Sequence, residues 1–116
     1  MALQHTRLAE VAYVPSSVGS IYSNPASTKT HLRGLLLHNT NTSVENVTIH
    51  WVPDSSGSVG TASNATRIFN VDLQANETQT FEVPYGIVMT DHNESIQAVT
   101  TTASKVTVVP LGDLDV

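Results

Sequence analysis

Two runs of strand-forming residues flank a polar turn in the segment Thr30-His-Leu-Arg-Gly-Leu-Leu-Leu-His-Asn-Thr-Asn-Thr-Ser-Val-Glu-Asn-Val-Thr-Ile-His-Trp-Val-Pro53. The second run alternates: one face holds Val47, Ile49 and Trp51, and the other holds Asn46, Thr48, His50 and Val52. A period of two is typical of an antiparallel strand with one face in a core and the other in water. The segment therefore predicts an all-β domain in which Trp51 is a core residue.

The first run, residues 30–38, contains three consecutive leucines, Leu35, Leu36 and Leu37. A strand that is apolar on both faces usually lies in the centre of a sheet that is covered on both sides. We expect the second cover to be another subunit. The turn between the two runs predicts that they pair as neighbouring strands, which would bring His38 and His50 within reach of each other.

Similar short runs recur at residues 8–14, 18–22, 64–73, 78–83, 87–89, 94–101 and 105–111, and no helical period persists for three turns. About eight short strands predict an antiparallel two-sheet β-sandwich, of jelly-roll or Ig-like topology, with little or no helix. We expect residues 30–116 to form the sandwich, and residues 1–29 to form an extended N-terminal arm or an edge strand. The predicted core is Leu32, Leu35, Leu37, Val47, Ile49, Trp51, Ile68, Phe69, Val71, Leu73, Phe81, Val83, Ile87, Ile96, Ala98, Val106 and Val108.

Composition narrows the classes of function. The chain has 116 residues, enough for one domain, and a formal net charge of −5 with only five Lys and Arg, which argues against nucleic acid as a partner. The low charged fraction, 13%, leaves a hydroxyl-rich and amide-rich surface that favours contact with other protein. There is no cysteine, no signal-peptide pattern and no apolar run long enough to span a membrane, so we expect a protein made in a cytoplasm.

The sequence contains no cluster of residues that clearly indicates a catalytic or metal-binding site. His38 and His50 supply two imidazoles, but a zinc site needs three or four ligands and spacing assigns no third. The cluster at residues 91–94, Asp-His-Asn-Glu, lacks the acidic spacing of a calcium loop and is interpreted as a turn. No nucleophile elbow or phosphate loop is present. The sequence predicts no catalytic residue, no cofactor and no metal.

Three segments resemble a known group of proteins: Val-Gly-Ser-Ile-Tyr-Ser-Asn-Pro-Ala at 18–26, Arg-Gly-Leu-Leu-Leu-His-Asn-Thr at 33–40 and Val-Thr-Ile-His-Trp-Val-Pro at 47–53. Together with residues 67–78 and 103–109, they resemble the small β-sandwich virion structural proteins of tailed bacteriophages, among them capsid decoration (cement) proteins. The resemblance implies a non-enzymatic protein on the capsid surface. It would act as a homo-oligomer, with a trimer favoured, bound to the major capsid protein or another virion protein.

The interface residues expected under this interpretation are Leu3, Leu8, Tyr13, Tyr22, Leu111, Leu114 and Val116. Two alternatives stay open at this point. One is a phage neck, tail or baseplate protein, and the other is a carbohydrate-binding β-sandwich module, which would require Trp51 or the tyrosines on an exposed face.

Overall fold

Nine β-strands make up most of the fold. The computed structural model describes the backbone of residues 3–115 and the side chains of residues 8–83 and 85–115. The strands are β1 (Leu3–Arg7), β2 (Ala12–Tyr13), β3 (Gly19–Ser23), β4 (Lys29–Asn39), β5 (Glu45–Val52), β6 (Arg67–Leu73), β7 (Thr78–Met89), β8 (Ser95–Thr100) and β9 (Val106–Asp115). Within the described range a single 3-10 turn, Asn64–Thr66, is the one helical segment, and no helix is long and apolar enough to cross a membrane.

The strands form two antiparallel sheets, which confirms the predicted sandwich. In sheet A, β1 and β2 both pair with β9, followed by β4 and β7; in sheet B the order is β3, β8, β5, β6. Because β1 and β2 occupy one position beside β9, they count as one interrupted strand. The eight positions then have jelly-roll connectivity, with the first, eighth, third and sixth in one sheet and the second, seventh, fourth and fifth in the other. Of the two predicted topologies, the structure adopts the jelly roll.

The predicted pairing of residues 30–38 with residues 46–52 is wrong. β4 lies in sheet A between β7 and β9, whereas β5 lies in sheet B between β6 and β8. The intervening residues 40–44 cross from one sheet to the other instead of forming a hairpin. The side chain of Asn39 holds this crossing, because its Nδ2 donates to the carbonyls of Ser43, Leu73 and Gln74 at 2.9–3.1 Å.

The core between the sheets follows the predicted alternation. Eleven of the seventeen predicted core residues are buried: Leu32, Leu35, Leu37, Val47, Ile49, Leu73, Ile87, Ile96, Ala98, Val106 and Val108. Trp51, Phe69, Val71, Phe81 and Val83 pack against them while remaining partly exposed. Ile68 was wrongly predicted: it is 38% exposed, because the inward positions of β6 are the odd-numbered ones. Val14, Tyr22, Val52 and Met89 are buried residues that were not predicted.

Buried polar side chains close the two ends of the sandwich. At one end, Tyr22 Oη and Thr30 Oγ1 are 2.8 Å apart, and the Thr30 hydroxyl donates to Asn24 Oδ1 at 2.6 Å. At the other end, Glu45 is 1% exposed and accepts hydrogen bonds from loops on both sides of it. Satisfied polar groups of this kind fix the loop positions, since each would be costly to bury without its partners.

Candidate interaction surface

The two histidines singled out by the sequence are not neighbours. His38 lies on sheet A, with its Nδ1 2.7 Å from Thr78 Oγ1, and His50 lies on sheet B, with its Nδ1 3.0 Å from Thr66 Oγ1. The expectation that they approach each other is wrong, because it depended on the hairpin that does not form. Among the described residues, no three His, Cys, Asp or Glu side chains are grouped so that they could hold a metal ion.

The buried carboxylate of Glu45 has a structural environment. Burial alone would raise its pKa, but hydrogen bonds from Asn41, Thr102 and Thr100 outweigh burial and hold the pKa below its ordinary value. Its Oε1 accepts from the Thr102 amide at 2.7 Å and from Thr100 Oγ1 at 3.2 Å, and its Oε2 accepts from Asn41 Nδ2 at 3.0 Å. A carboxylate that is ionised and fully engaged joins loops together and is a poor proton acceptor for a substrate.

Trp51 is half-buried and its indole has an internal partner. The ring packs against the core, as predicted, and Nε1 donates to Glu94 Oε2 at 2.6 Å. Glu94 also accepts from the backbone amide of Thr90 at 3.2 Å, within the predicted turn at residues 91–94. The indole N–H is therefore bound within the domain, and the ring is held partly against the core.

The outer face of sheet A is an uncovered apolar surface. Leu36 in β4, Val88 in β7 and Leu111 in β9 are each 38–40% exposed on this face. Leu36 lies opposite Val109 and Thr80, and Leu111 lies opposite Gly34, so the apolar positions continue across neighbouring strands. Exposed apolar positions that adjoin one another mark interaction sites more often than scattered ones do.

A groove of about 340 Å³ opens on this surface, lined by Arg33, Gly34, Thr80, Glu82, Val83 and Leu111. Gly34 lines it between its two register partners, Leu111 on one side and Glu82 on the other. A Cβ at Gly34 would lie 2.9 Å from the Phe81 carbonyl oxygen, so the close backbone approach requires glycine there. We refer to this feature as the Gly34 groove.

Arg33 is held in place at the rim of the groove. It is the extra residue of a bulge between Leu32 and Gly34, and its Nε donates to Asp113 Oδ2 at 3.0 Å. The Asp113 side chain is 6% exposed, whereas that of Arg33 is 48% exposed. The buried carboxylate therefore fixes the guanidinium, which stays accessible to a partner.

An aromatic residue projects beside the groove. Residues 83–86 of β7 bulge out opposite Arg33, and Tyr85 in this bulge is 92% exposed. The bulge depends on Gly86, whose φ is +75°, a value that favours glycine. A Cβ at Gly86 would lie 3.3 Å from Arg33 Nη1, which places the bulge next to the groove wall. We refer to the Tyr85 side chain as the knob.

The middle of the outer face of sheet B is covered by the chain itself. The loop of residues 53–66 lies over β5 and β8, and Gln97 Nε2 donates to the Gly60 carbonyl at 2.9 Å while Asn93 Nδ2 donates to the Gly57 carbonyl at 2.7 Å. His50 and Gln97, on the outer side of these two central strands, are only 8% and 5% exposed, whereas Ile68 on the edge strand β6 is 38% exposed. The two faces therefore differ at their centres: the central strands of sheet B are covered by a loop, and the central strands β4 and β9 of sheet A expose Leu36 and Leu111.

The predicted interface residues fall into four groups. Tyr13 and Leu111, 53% and 40% exposed, are accessible on sheet A, while Leu8 and Leu114 are partly buried and pack against the core. Tyr22 is buried, and burial raises the pKa of its phenol despite the Thr30 hydrogen bond, so it does not belong to the accessible surface. Val116 and the side chain of Leu3 lie outside the described residues.

Sequence reasoning missed the groove, and it placed Tyr85 beside a turn without predicting how far its side chain is exposed. The Gly34 groove arises from residues on three strands that are distant in sequence, and only the register brings them together. A signal for the knob was present, since Pro84-Tyr-Gly86 interrupts a strand pattern, but the interruption was interpreted as a break between two strands. In the structure β7 continues through it from Thr78 to Met89.

Comparison with known proteins gives distant structural likenesses and no sequence match. No protein-family model matches the sequence, and no curated protein matches it. A solved structure described as "Structure of infectious bursal disease virus Gt strain" is similar at 11% sequence identity, with a TM-score of 0.35. The alignment covers 97% of this chain and 30% of that chain, so this chain spans less than a third of the length of its structural neighbour.

Proposed function

We propose that this chain is a non-enzymatic virion structural protein of a tailed bacteriophage, specifically a capsid decoration protein. Its role would be mechanical: it buries apolar and backbone surface in the assembled head and so favours that state by mass action. The sequence segments that resemble phage virion proteins support the choice of class.

The observation that carries the proposal is the difference between the two faces of the sandwich. The central strands of sheet A expose Leu36 and Leu111, with Val88 on the neighbouring strand, beside the charged residues of the Gly34 groove. The central strands of sheet B are covered by the loop of residues 53–66. A domain whose one sheet exposes apolar side chains at its centre is suited to an assembly in which other protein covers that sheet.

The test is co-assembly with the major capsid protein of the virus that encodes the chain. We expect the purified protein to co-sediment with mature heads and to raise the temperature at which the heads release their DNA. The matched pair of variants is Leu36→Glu, on the uncovered face, and Val59→Glu, in the loop over sheet B, where Val59 is 44% exposed. Leu36→Glu should reduce head binding, and Val59→Glu should not. The proposal would be refuted if wild-type protein stays in the supernatant and leaves the temperature of DNA release unchanged.

A second candidate function, carbohydrate binding, is favoured by one observation. The alternative required an exposed aromatic ring, and Tyr85, at 92% exposed beside a groove with Arg33 and Glu82, provides one. Calorimetric titration with a panel of oligosaccharides tests it: saturable heat that Tyr85→Ala abolishes would support a glycan site, and absence of heat across the panel would exclude it.

A further inference from the structure

We infer that a second copy of this chain covers the outer face of sheet A, with the Tyr85 knob of each copy seated in the Gly34 groove of a neighbouring copy. The inference deepens the proposed function and rests on it, since it names the partner of the face that the proposal uses.

Shape is the first argument. Every copy has both a projecting ring and a groove, and the two lie side by side on either side of Arg33. The groove, at about 340 Å³, is at the small end of the range for ligand pockets, and its lining is apolar at Val83 and Leu111. Aromatic anchors that enter a pocket of the partner are typical of interface centres. The knob is the most exposed of the chain's described large hydrophobic side chains, so it is the best available occupant.

Charge is the second argument. The groove has the cation of Arg33, which is paired with the largely buried Asp113, and the anion of Glu82, which lies opposite Gly34. A surface that contains one charge of each sign is complementary to a second copy of itself when the two copies meet in opposite orientation. An acidic or a basic partner would be attracted by one of these charges and repelled by the other.

Area is the third argument. Sheet A presents four strand positions, and β4 and β9 have 11 and 10 residues. With strands about 4.8 Å apart and a rise of about 3.3 Å per residue, the face measures roughly 19 by 33 Å, or about 630 Å². That equals the lower end of a standard interface, about 600 Å² per partner, before the knob is added. A second copy therefore covers the face with an area that supports specific association.

The chain has no cysteine, which allows a direct test of the contact. Tyr85→Cys and Thr80→Cys are purified separately, carry different tags, and are mixed under mild oxidation, so that a disulfide joining the two tags must link two copies. Such a bond requires the two Cα atoms to come within about 7 Å. The control replaces Tyr85→Cys by Ser56→Cys, an exposed position in the loop over sheet B. We expect the yield of cross-linked product from the mixture of Tyr85→Cys and Thr80→Cys to be several-fold higher than the yield from the mixture of Ser56→Cys and Thr80→Cys.

Light scattering on a size-exclusion column measures the association itself. We expect wild-type protein to have a mass that is a whole multiple, greater than one, of 12.4 kDa. Tyr85→Ala should weaken self-association by at least about tenfold, as expected for an aromatic anchor, without unfolding, because the side chain is almost fully exposed. Leu36→Glu should also dissociate the assembly, whereas Val59→Glu should leave it intact.

Three results would overturn the inference: a monomeric wild type at every concentration measured, cross-linking no higher than in the control mixture, or unchanged mass for both Tyr85→Ala and Leu36→Glu. A monomeric wild type that binds an oligosaccharide saturably, together with a Tyr85→Ala variant that does not bind it, would also overturn the inference and would support a glycan site. The proposed function fails separately: an oligomer cross-linked through residues 85 and 80 that does not bind heads keeps this inference and removes the capsid role.

Discussion

Glu45→Gln isolates the contribution of one buried carboxylate to the stability of the sandwich. Glu45 Oε2 accepts from Asn41 Nδ2, and Oε1 accepts from both Thr102 N and Thr100 Oγ1. In the glutamine variant the remaining side-chain oxygen can still accept from Thr102 N and Thr100 Oγ1. The new amide nitrogen, however, faces Asn41 Nδ2, so the hydrogen bond from Asn41 is lost. Loss of a charge-assisted hydrogen bond costs about 1.5–3 kcal/mol, and two others become neutral.

We expect Glu45→Gln to lower the free energy of unfolding by about 3 kcal/mol at neutral pH, after relief of the charge-burial cost offsets part of the loss. With an unfolding entropy of about 2.1 cal/mol/K per residue, the melting temperature should fall by about 12 °C. Urea unfolding followed by Trp51 fluorescence at a fixed protein concentration measures the change, since the assembly would otherwise add a concentration dependence. The control is Asp91→Asn, at an exposed carboxylate, which should change stability by less than about 0.5 kcal/mol.

The same variant predicts a pH dependence with a definite sign. Because the pKa of Glu45 is lower in the folded state than its ordinary value, its ionised form stabilises the fold above the unfolded pKa of about 4.3. That contribution is lost as the pH falls through the folded pKa. The difference in the free energy of unfolding between wild type and Glu45→Gln should therefore have its full value at neutral pH and become smaller below about pH 4. A gap under about 1 kcal/mol at neutral pH, or a gap that persists unchanged into acid, would refute the argument.

Three further substitutions test the packing. Asn39→Ala removes three hydrogen bonds to main-chain carbonyls that hold the crossing between the sheets. It should lower the free energy of unfolding, measured by chemical denaturation, by about 2–4 kcal/mol. An unchanged free energy of unfolding would show that the crossing does not depend on these hydrogen bonds. Tyr22→Phe removes the hydroxyl that bonds to Thr30 and should cost about 1–2 kcal/mol, with little change in the near-ultraviolet dichroism of the core. Gly112→Ala places a Cβ far inside van der Waals contact with the His31 carbonyl oxygen, so soluble expression should be lost or the melting temperature should fall sharply; a normally folded variant would contradict the close strand approach.

Local pattern was sufficient for the class of the fold. The alternation of Val47, Ile49 and Trp51 predicts which side of β5 faces the core, because side chains on a strand alternate strictly and only one register buries the apolar set. The same reasoning identified most of the core. It failed at Ile68, an apolar residue at an outward position of β6, where residue type was given more weight than the alternation of Phe69, Val71 and Leu73.

Long-range pairing was not accessible to such reasoning. Residues 39–45 have the composition of a hairpin turn, and consecutive strands usually pair, yet β4 has neighbours on both edges and β5 belongs to the opposite sheet. The partner of a strand is decided by the sum of contacts along the whole chain. The error spread to His38 and His50, whose predicted proximity depended on that single pairing.

The sequence by itself determined an all-β sandwich, its main core and the absence of a recognisable catalytic motif, because these follow from residue type and a period of two. The tertiary structure alone decided which apolar residues stay uncovered. Leu36 was expected to have cover on both sides, and the structure places it on a face that no segment among the described residues covers, beside a groove and a projecting tyrosine. The reason is physical: a surface is formed by residues from several strands at once, and its composition depends on register and connectivity, which no single stretch of the chain encodes.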